Sequence, residues 1–361
     1  PEVGDVIRLQ EELTRSIVDF LSPTLSVPAG SAPRQVAATP EAHALYLRAL
    51  ETARNYDRFL EARDLFRRCT ELDPGFAPAW AHFGRCHRVV GKYLEDPKSH
   101  NRQAEEAFAQ ALKADSELAL AHKYLAHLEA ETGRATAALT RLIEAAAANR
   151  NDAAIFAGLV HSCRYAGLLE ASMAAHEESR RLDPRLPTSV PWTLLARTEY
   201  ERLAVLGEEE STEFDLEPQI LALALVGQVD EGRRLLDRQE ARKMPEVLRV
   251  VTGWVRPLLD GDVRVVLEAV ERARAAFYDP EASFMYSVLL CRTGHVDRGL
   301  ELLEDAVQGG FSAATAMADE PSYDPLRGTP RFETLREQSA ERRAEALAAY
   351  RAAGGERLLG V

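Results

Sequence analysis

The sequence lacks any apolar run near the roughly 18 uninterrupted residues that a membrane-crossing helix needs. That excludes a helical membrane span. Its first residues, PEVGDVIRLQEE, have neither the basic nor the apolar stretch of a secretory signal, so a cytoplasmic location is expected. The chain starts at Pro1 without a Met, and the expectation is a fragment cut from a longer chain. Cysteine is scarce. Cys69, Cys86, Cys163 and Cys291 stand far apart with no C-x-x-C pair, which argues for reduced, buried thiols and against a disulfide framework. Positive charge is in deficit, with 44 Lys and Arg against 57 Asp and Glu and a net charge of -13. Phosphate binding needs clustered cations, so the charge argues against a broad nucleic-acid or anionic-membrane surface and leaves room only for a local basic patch. Catalytic motifs are missing too: there is no G-x-x-x-x-G-K-[ST], no G-x-S-x-G and no H-E-x-x-H. Acidic pairs abound, but solvated helix faces produce them freely, and none is nominated as an acid–base couple. The sequence therefore points to a protein that is not an enzyme, with no cofactor and no metal.

What is present is helix-forming material. Long runs of Ala, Leu, Glu and Arg are broken by short Gly or Asp-Pro punctuation. At 361 residues, with 46% hydrophobic and 28% charged, the chain is too long for one compact core and must be multidomain or a repeat array. The spacing of the glycines decides for repeats. Gly133 and Gly167 are 34 apart, Gly227 and Gly261 are 34 apart, and Gly261 and Gly294 are 33 apart. From Gly91 to Gly133 is 42, and the excess is assigned to YLEDPKSHNRQ as a lengthened turn. The stops Asp73-Pro74 and Asp183-Pro184 close second helices in the same frame.

In that frame the chain resembles the tetratricopeptide repeat family. Trp80, Phe83 and Gly84, then Ala104, Phe108 and Ala111, stand at the family's large and small packing positions. So do Tyr46, Ala62, Phe66 and Pro74; Leu125, Ala126, Ala138, Leu142 and Ala145; and Phe156, Leu159 and Pro184. The resemblance implies an all-α, right-handed α-solenoid of helix hairpins: about seven repeats in two segments with a C-terminal capping helix. The expected layout is an N-terminal amphipathic helix over 1–21, a Pro-rich linker over 22–40 and repeats one to four over 41–186. An irregular hinge follows over 187–213, then looser repeats five to seven over 214–310 and a cap over 311–361. Within the hinge, PTSVPW reads as helix-hostile, with a degenerate helix over 194–206 and an acidic loop after it. Asp324, Pro325, Leu326, Arg327, Pro330, Arg331 and Phe332 resemble the closing motif of a bacterial subgroup of these arrays, and Leu326 and Phe332 are expected to cover the last helix pair. A final helix over about 332–351 is expected to stop at Gly354-Gly355. Val6, Leu9, Leu13, Ile17 and Phe20 share one helix side and resemble the helix that, in the same subgroup, closes a domain ahead of the repeats. The whole resembles the C-terminal region of bacterial multidomain regulators, associated with serine/threonine kinase, nucleotide cyclase or DNA-binding domains.

One group of side chains has metal-like spacing: His82, Cys86 and His87. A packed helix is the preferred reading, since His87 falls at a large packing position and Cys86 lies beside the core. In the family the first helices line a concave face. The matching positions are Arg48, Arg54 and Asn55; His82, Arg85 and Arg88; Lys123, Tyr124 and His127; and His161, Arg164 and Tyr165. This column implies a groove for an acidic peptide or partner domain, with Tyr124 and Tyr165 available for apolar or cation–π contact. The alternative is a solvated face whose arginines pair with local glutamates such as Glu51 and Glu131. Asn is absent from the positions of the family's carboxylate clamp, so chaperone tails are not implied. The expected function is a non-catalytic interaction scaffold or sensor module. The alternatives are a structural module that forms homo-oligomers, or the non-catalytic part of an enzyme whose catalytic domain lies upstream.

Overall fold

The computed structural model describes residues 37–93, 96–207, 216–240 and 245–361. The N-terminal amphipathic helix, most of the Pro-rich linker and the acidic loop lie outside the described residues. Among those described, the chain forms twenty α-helices and no strand. They group into two compact units.

The first unit comprises the described residues up to Gly91 together with Pro97–Ala121. Helix α1 (Pro40–Thr52) starts where the Thr39 hydroxyl accepts from the Ala42 amide and Pro40 presets the first turn. It packs on α2 (Phe59–Leu72), which ends at Asp73-Pro74 as the sequence requires. Helix α3 (Ala77–Tyr93) and α4 (Pro97–Ala114) follow. Phe59, Phe66, Phe76 and Phe108 are wholly buried here. A β-carbon on Gly84 would lie 2.6 Å from the Phe108 ring, which is why a hydrogen occupies that position. The eight-residue excess does not lengthen the turn. It lengthens the helices: α3 has 17 residues and α4 has 18, and Gly91 is buried inside α3 against His100 instead of at a turn.

The second unit comprises Lys92–Asp96 and His122–Val361. Its helices are α5 (Ala119–Glu131, from His122 on), α6 (Ala135–Ala148), α7 (Ala153–Tyr165), α8 (Leu169–Leu182), α9 (Val190–Ala196) and α10 (Tyr200–Ala204). Then come α11 (Leu216–Leu225), α12 (Val229–Glu240), α13 (Glu246–Val251), α14 (Val255–Asp260) and α15 (Val263–Ala276). The last are α16 (Pro280–Arg292), α17 (Val296–Gln308), α18 (Ala314–Asp319), α19 (Pro330–Ala352) and α20 (Gly355–Leu359).

Five helix pairs of this unit turn in one way. Gly133, Gly167, Gly227, Gly261 and Gly294 all have φ between +74° and +88°, a region that costs little only for glycine. After each glycine the next amide reaches back five residues: Arg134 to Glu129, Leu168 to Cys163, Gln228 to Leu223, Asp262 to Pro257 and His295 to Leu290, at 2.7–2.9 Å. This is the Schellman closure of a helix C-terminus, repeated at each of these glycines.

Between α8 and α11 the structure departs from the expectation in two ways. PTSVPW is not helix-hostile, because Pro191 falls in the first turn of α9, where its missing amide has no partner to lose. The helix expected over 194–206 is broken in two at Thr198, whose φ is +58°. At the far end Leu326, Phe332 and Tyr323 are buried, the last two rings 5.8 Å apart. The 3-10 turn Pro321–Leu326 packs on α16 and α17. Helix α19 packs on α17 and also on α6, and α20 packs on α6 and α8. The Arg343 guanidinium donates to the Gly167 carbonyl (3.0 Å), and the Ser312 amide donates to the Tyr165 carbonyl (2.9 Å). The C-terminal elements thus seal helix pairs far from them in sequence.

Candidate functional site

In the first unit most of the nominated side chains have partners of their own. Arg54 and Arg48 are exposed, 3.3 Å from Glu51 and 3.8 Å from Glu61. Such exposed pairs contribute well under about 1 kcal/mol and exchange readily for another anion. Asn55 caps a short 3-10 turn, its side chain accepting from the Asp57 amide. The Arg85 guanidinium lies 5.1 Å over the Phe59 ring. Arg88 is half-buried, with Nε in the interior. His82 stacks on Phe66 (5.2 Å, 11° between planes) and leans on Tyr46. Burial, and then the Arg85 charge, push its pKa down to about 3, so it is a neutral packing ring at physiological pH. Cys86 is fully buried with its thiol pushed up to about 12, and His87 meets His100 through their Nδ1 atoms at 2.9 Å. Among the described residues no group of three His, Cys, Asp or Glu side chains is placed to hold a metal ion.

In the second unit the structure brings together α5, α7 and α16. Lys123, Tyr124 and His127 are half-buried on α5. Lys123 lays its stem near Gly158 of α7, since a β-carbon there would lie 3.3 Å from Lys123 Cγ. The His127 and His161 rings are 4.4 Å apart. His161, Arg164 and Tyr165, nominated for an open groove, are instead buried, Arg164 to 1% and Tyr165 to 0% exposure. This corrects their expected position: Glu281 in the first turn of α16 meets Arg164, Asp279 at its start meets Tyr165, and His161 lies between Arg164 and His127. Arg164 donates through Nε to Glu281 Oε1 (2.5 Å) and through Nη2 to Glu281 Oε2 (3.1 Å). Its Nη1 donates to the Ser189 carbonyl (3.0 Å) and hydroxyl (2.9 Å) and to the Thr193 hydroxyl (3.3 Å). Nη2 also lies 3.1 Å from His161 Nδ1. A guanidinium only donates, so His161 Nδ1 is the acceptor and the proton of the neutral ring sits on Nε2, 3.7 Å from Glu131. The Tyr165 hydroxyl donates to Asp279 (2.7 Å). Lys92 bridges Asp279 (2.5 Å) and Glu131 (2.8 Å).

Burial is the largest influence on Glu281 and pushes its carboxyl up to about 7. Arg164 pulls the other way, Asp279 adds to the rise and Lys92 opposes it. Tyr165 is driven well above its ordinary value, first by burial and then by Asp279, Glu281 and Glu131. Lys92, Asp279 and Glu281 were not among the residues that sequence spacing nominates. A signal existed for two of them: Asp279-Pro280-Glu281 is an N-cap, a first-turn proline and a first-turn acid, and the Asp279 carboxylate does accept from the amides of residues 281 and 282. Arg141, also outside the nominated column, holds Glu129 with paired bonds of 3.0 and 2.8 Å.

Comparison with models of protein families and with the curated proteins finds no match to this chain.

Proposed function

We propose that the chain is a non-catalytic interaction module of the tetratricopeptide kind, working as a scaffold or sensor in the cytoplasm of a bacterium as part of a larger signalling or regulatory protein. What supports the reading above all is α5, the first helix of a pair that turns at Gly133 with φ of +82° and the back-bond of Arg134 to Glu129, which carries polar residues along one stretch. There Lys123, Tyr124 and His127 lie within two turns, half-buried and next to the His161 ring. A cation, a phenol and an imidazole at that spacing suit a carboxylate with a neighbouring apolar group, as an acidic peptide or an acidic loop of a partner domain offers. The buried Arg164 and Tyr165 support this stretch from below instead of meeting the partner.

The test is fluorescence anisotropy of labelled peptides against the intact chain. Glu-rich peptides carrying one aromatic residue bind, Lys-rich peptides of the same length do not, and salt weakens the former. Equal binding of both sets, or none, overturns the proposal.

A further inference from the structure

Thr198 shares the left-handed backbone of the turn glycines, with φ of +58°, and among the described residues no other non-glycine does. Its hydrogen bonds match theirs as well. The Thr198 amide donates to the Leu195 carbonyl (3.0 Å), and the Glu199 amide reaches back five residues to Leu194 (3.0 Å). Gly133 to Ala130 with Arg134 to Glu129, and Gly167 to Arg164 with Leu168 to Cys163, make the same two bonds. Its place in the sequence suits the series too. Thr198 lies 31 residues after Gly167 and 29 before Gly227, where successive turn glycines elsewhere are 33 or 34 apart. The α9–α10 pair is therefore another copy of the repeated helix pair, hidden from the glycine spacing because its turn residue is threonine.

That residue type carries a conformational cost. In the left-handed region the β-carbon crowds the following carbonyl, and the second branch at Cβ denies threonine the tolerance that asparagine and aspartate have there. The pair is also short. Helix α9 has 7 residues and α10 has 5, against 12–14 in the second helices α6, α8, α12, α15 and α17. Helices of one or two turns have few internal hydrogen bonds to set against strain at their junction. What holds α10 is packing: Leu203 is wholly buried, α10 packs on α11, and the Tyr200 hydroxyl donates to Glu320 just ahead of the Pro321–Leu326 turn.

We propose that Thr198 is a strained hinge point: of the repeated turns in the second unit its turn opens first, releasing α10 while the glycine turns on either side stay closed. Opening there uncovers Leu203 and frees Tyr200 from Glu320. The turn thus controls the tie between α10 and the C-terminal elements.

The measurement is native-state hydrogen exchange, corrected for intrinsic rates, of the amides that close the turns: Arg134, Leu168, Glu199, Gln228, Asp262 and His295. In the parent chain Glu199 opens most readily of these. In Thr198→Gly its opening constant falls by about tenfold, the weight of one non-glycine residue held left-handed. The converse variant, Gly227→Thr, puts threonine where a β-carbon meets nothing within 4 Å, so conformation acts alone. There Gln228 opens about tenfold more readily than in the parent. The proposal is overturned if Glu199 is no more labile than the other turn amides, if Thr198→Gly leaves it unchanged, or if Gly227→Thr leaves Gln228 unchanged.

Discussion

Arg164 and Glu281 lie 117 residues apart in the chain and meet as a buried pair with two hydrogen bonds, Nε to Oε1 at 2.5 Å and Nη2 to Oε2 at 3.1 Å. This pair ties the end of α7 to the start of α16. Removing one member leaves the other buried without its main partner, a far larger penalty than losing a surface pair. Arg164→Ala is therefore expected to lower the unfolding free energy by about 3–5 kcal/mol, measured by urea denaturation. A loss under about 1 kcal/mol contradicts the assigned burial.

The turn glycines separate two costs. Gly167 and Gly227 share the left-handed region, at φ +74° and +79°. A β-carbon at Gly167 would meet the Ser312 hydroxyl at 2.5 Å, whereas nothing lies within 4 Å of one at Gly227. Alanine at either site costs about 1–2 kcal/mol for conformation alone. Gly167→Ala must cost more than Gly227→Ala, because Ser312 also has to move. Equal melting temperatures for the two variants contradict this.

All four cysteines are buried, and burial pushes their thiols up, Cys69 to about 11 and Cys86, Cys163 and Cys291 to about 12. A thiolate is the reactive form, so the folded chain is expected to resist Ellman's reagent at pH 8 and to release four equivalents only when denatured. Rapid titration of any thiol in the native protein counts against the packing described.

His82 gives the first unit a pH response. Its folded pKa, about 3, is below the ordinary 6.5, so the unfolded chain binds the proton first. The contribution of the neutral ring is complete above pH 6.5 and is lost as the pH falls toward 3. Replacing His82 by Phe, which keeps an aromatic ring against Phe66, should flatten the acid limb of the stability profile. An unchanged limb shows that His82 is not the group responsible.

The parts of the fold legible in the sequence are those with a local cause. A left-handed turn needs glycine, so Gly133, Gly167, Gly227, Gly261 and Gly294 mark the turns by themselves. Ala62, Phe66, Gly84 and Phe108 reveal their packing roles through size alone. Local rules also misled. Proline at 191 reads locally as a breaker, whereas its place in a first turn makes it a starter, and Pro97 likewise opens α4, so the residues from Pro97 on lie in helix. The site was the least legible part. Reading Arg164 and Tyr165 as groove residues requires knowing what covers them, and Asp279 and Glu281 leave no trace near residue 164 in the sequence. Arginine on a first helix reads alike whether it faces solvent or an internal carboxylate.

The most direct test of the interaction reading is a comparison of peptide affinities with Lys123→Glu, a charge reversal on the α5 stretch that spares the buried pair beneath it. Anisotropy with a Glu-rich, aromatic-bearing peptide should show binding weakened by at least about tenfold, 1.4 kcal/mol, in a chain whose helical circular dichroism shows it folded. Undiminished affinity in a folded Lys123→Glu chain would contradict the account.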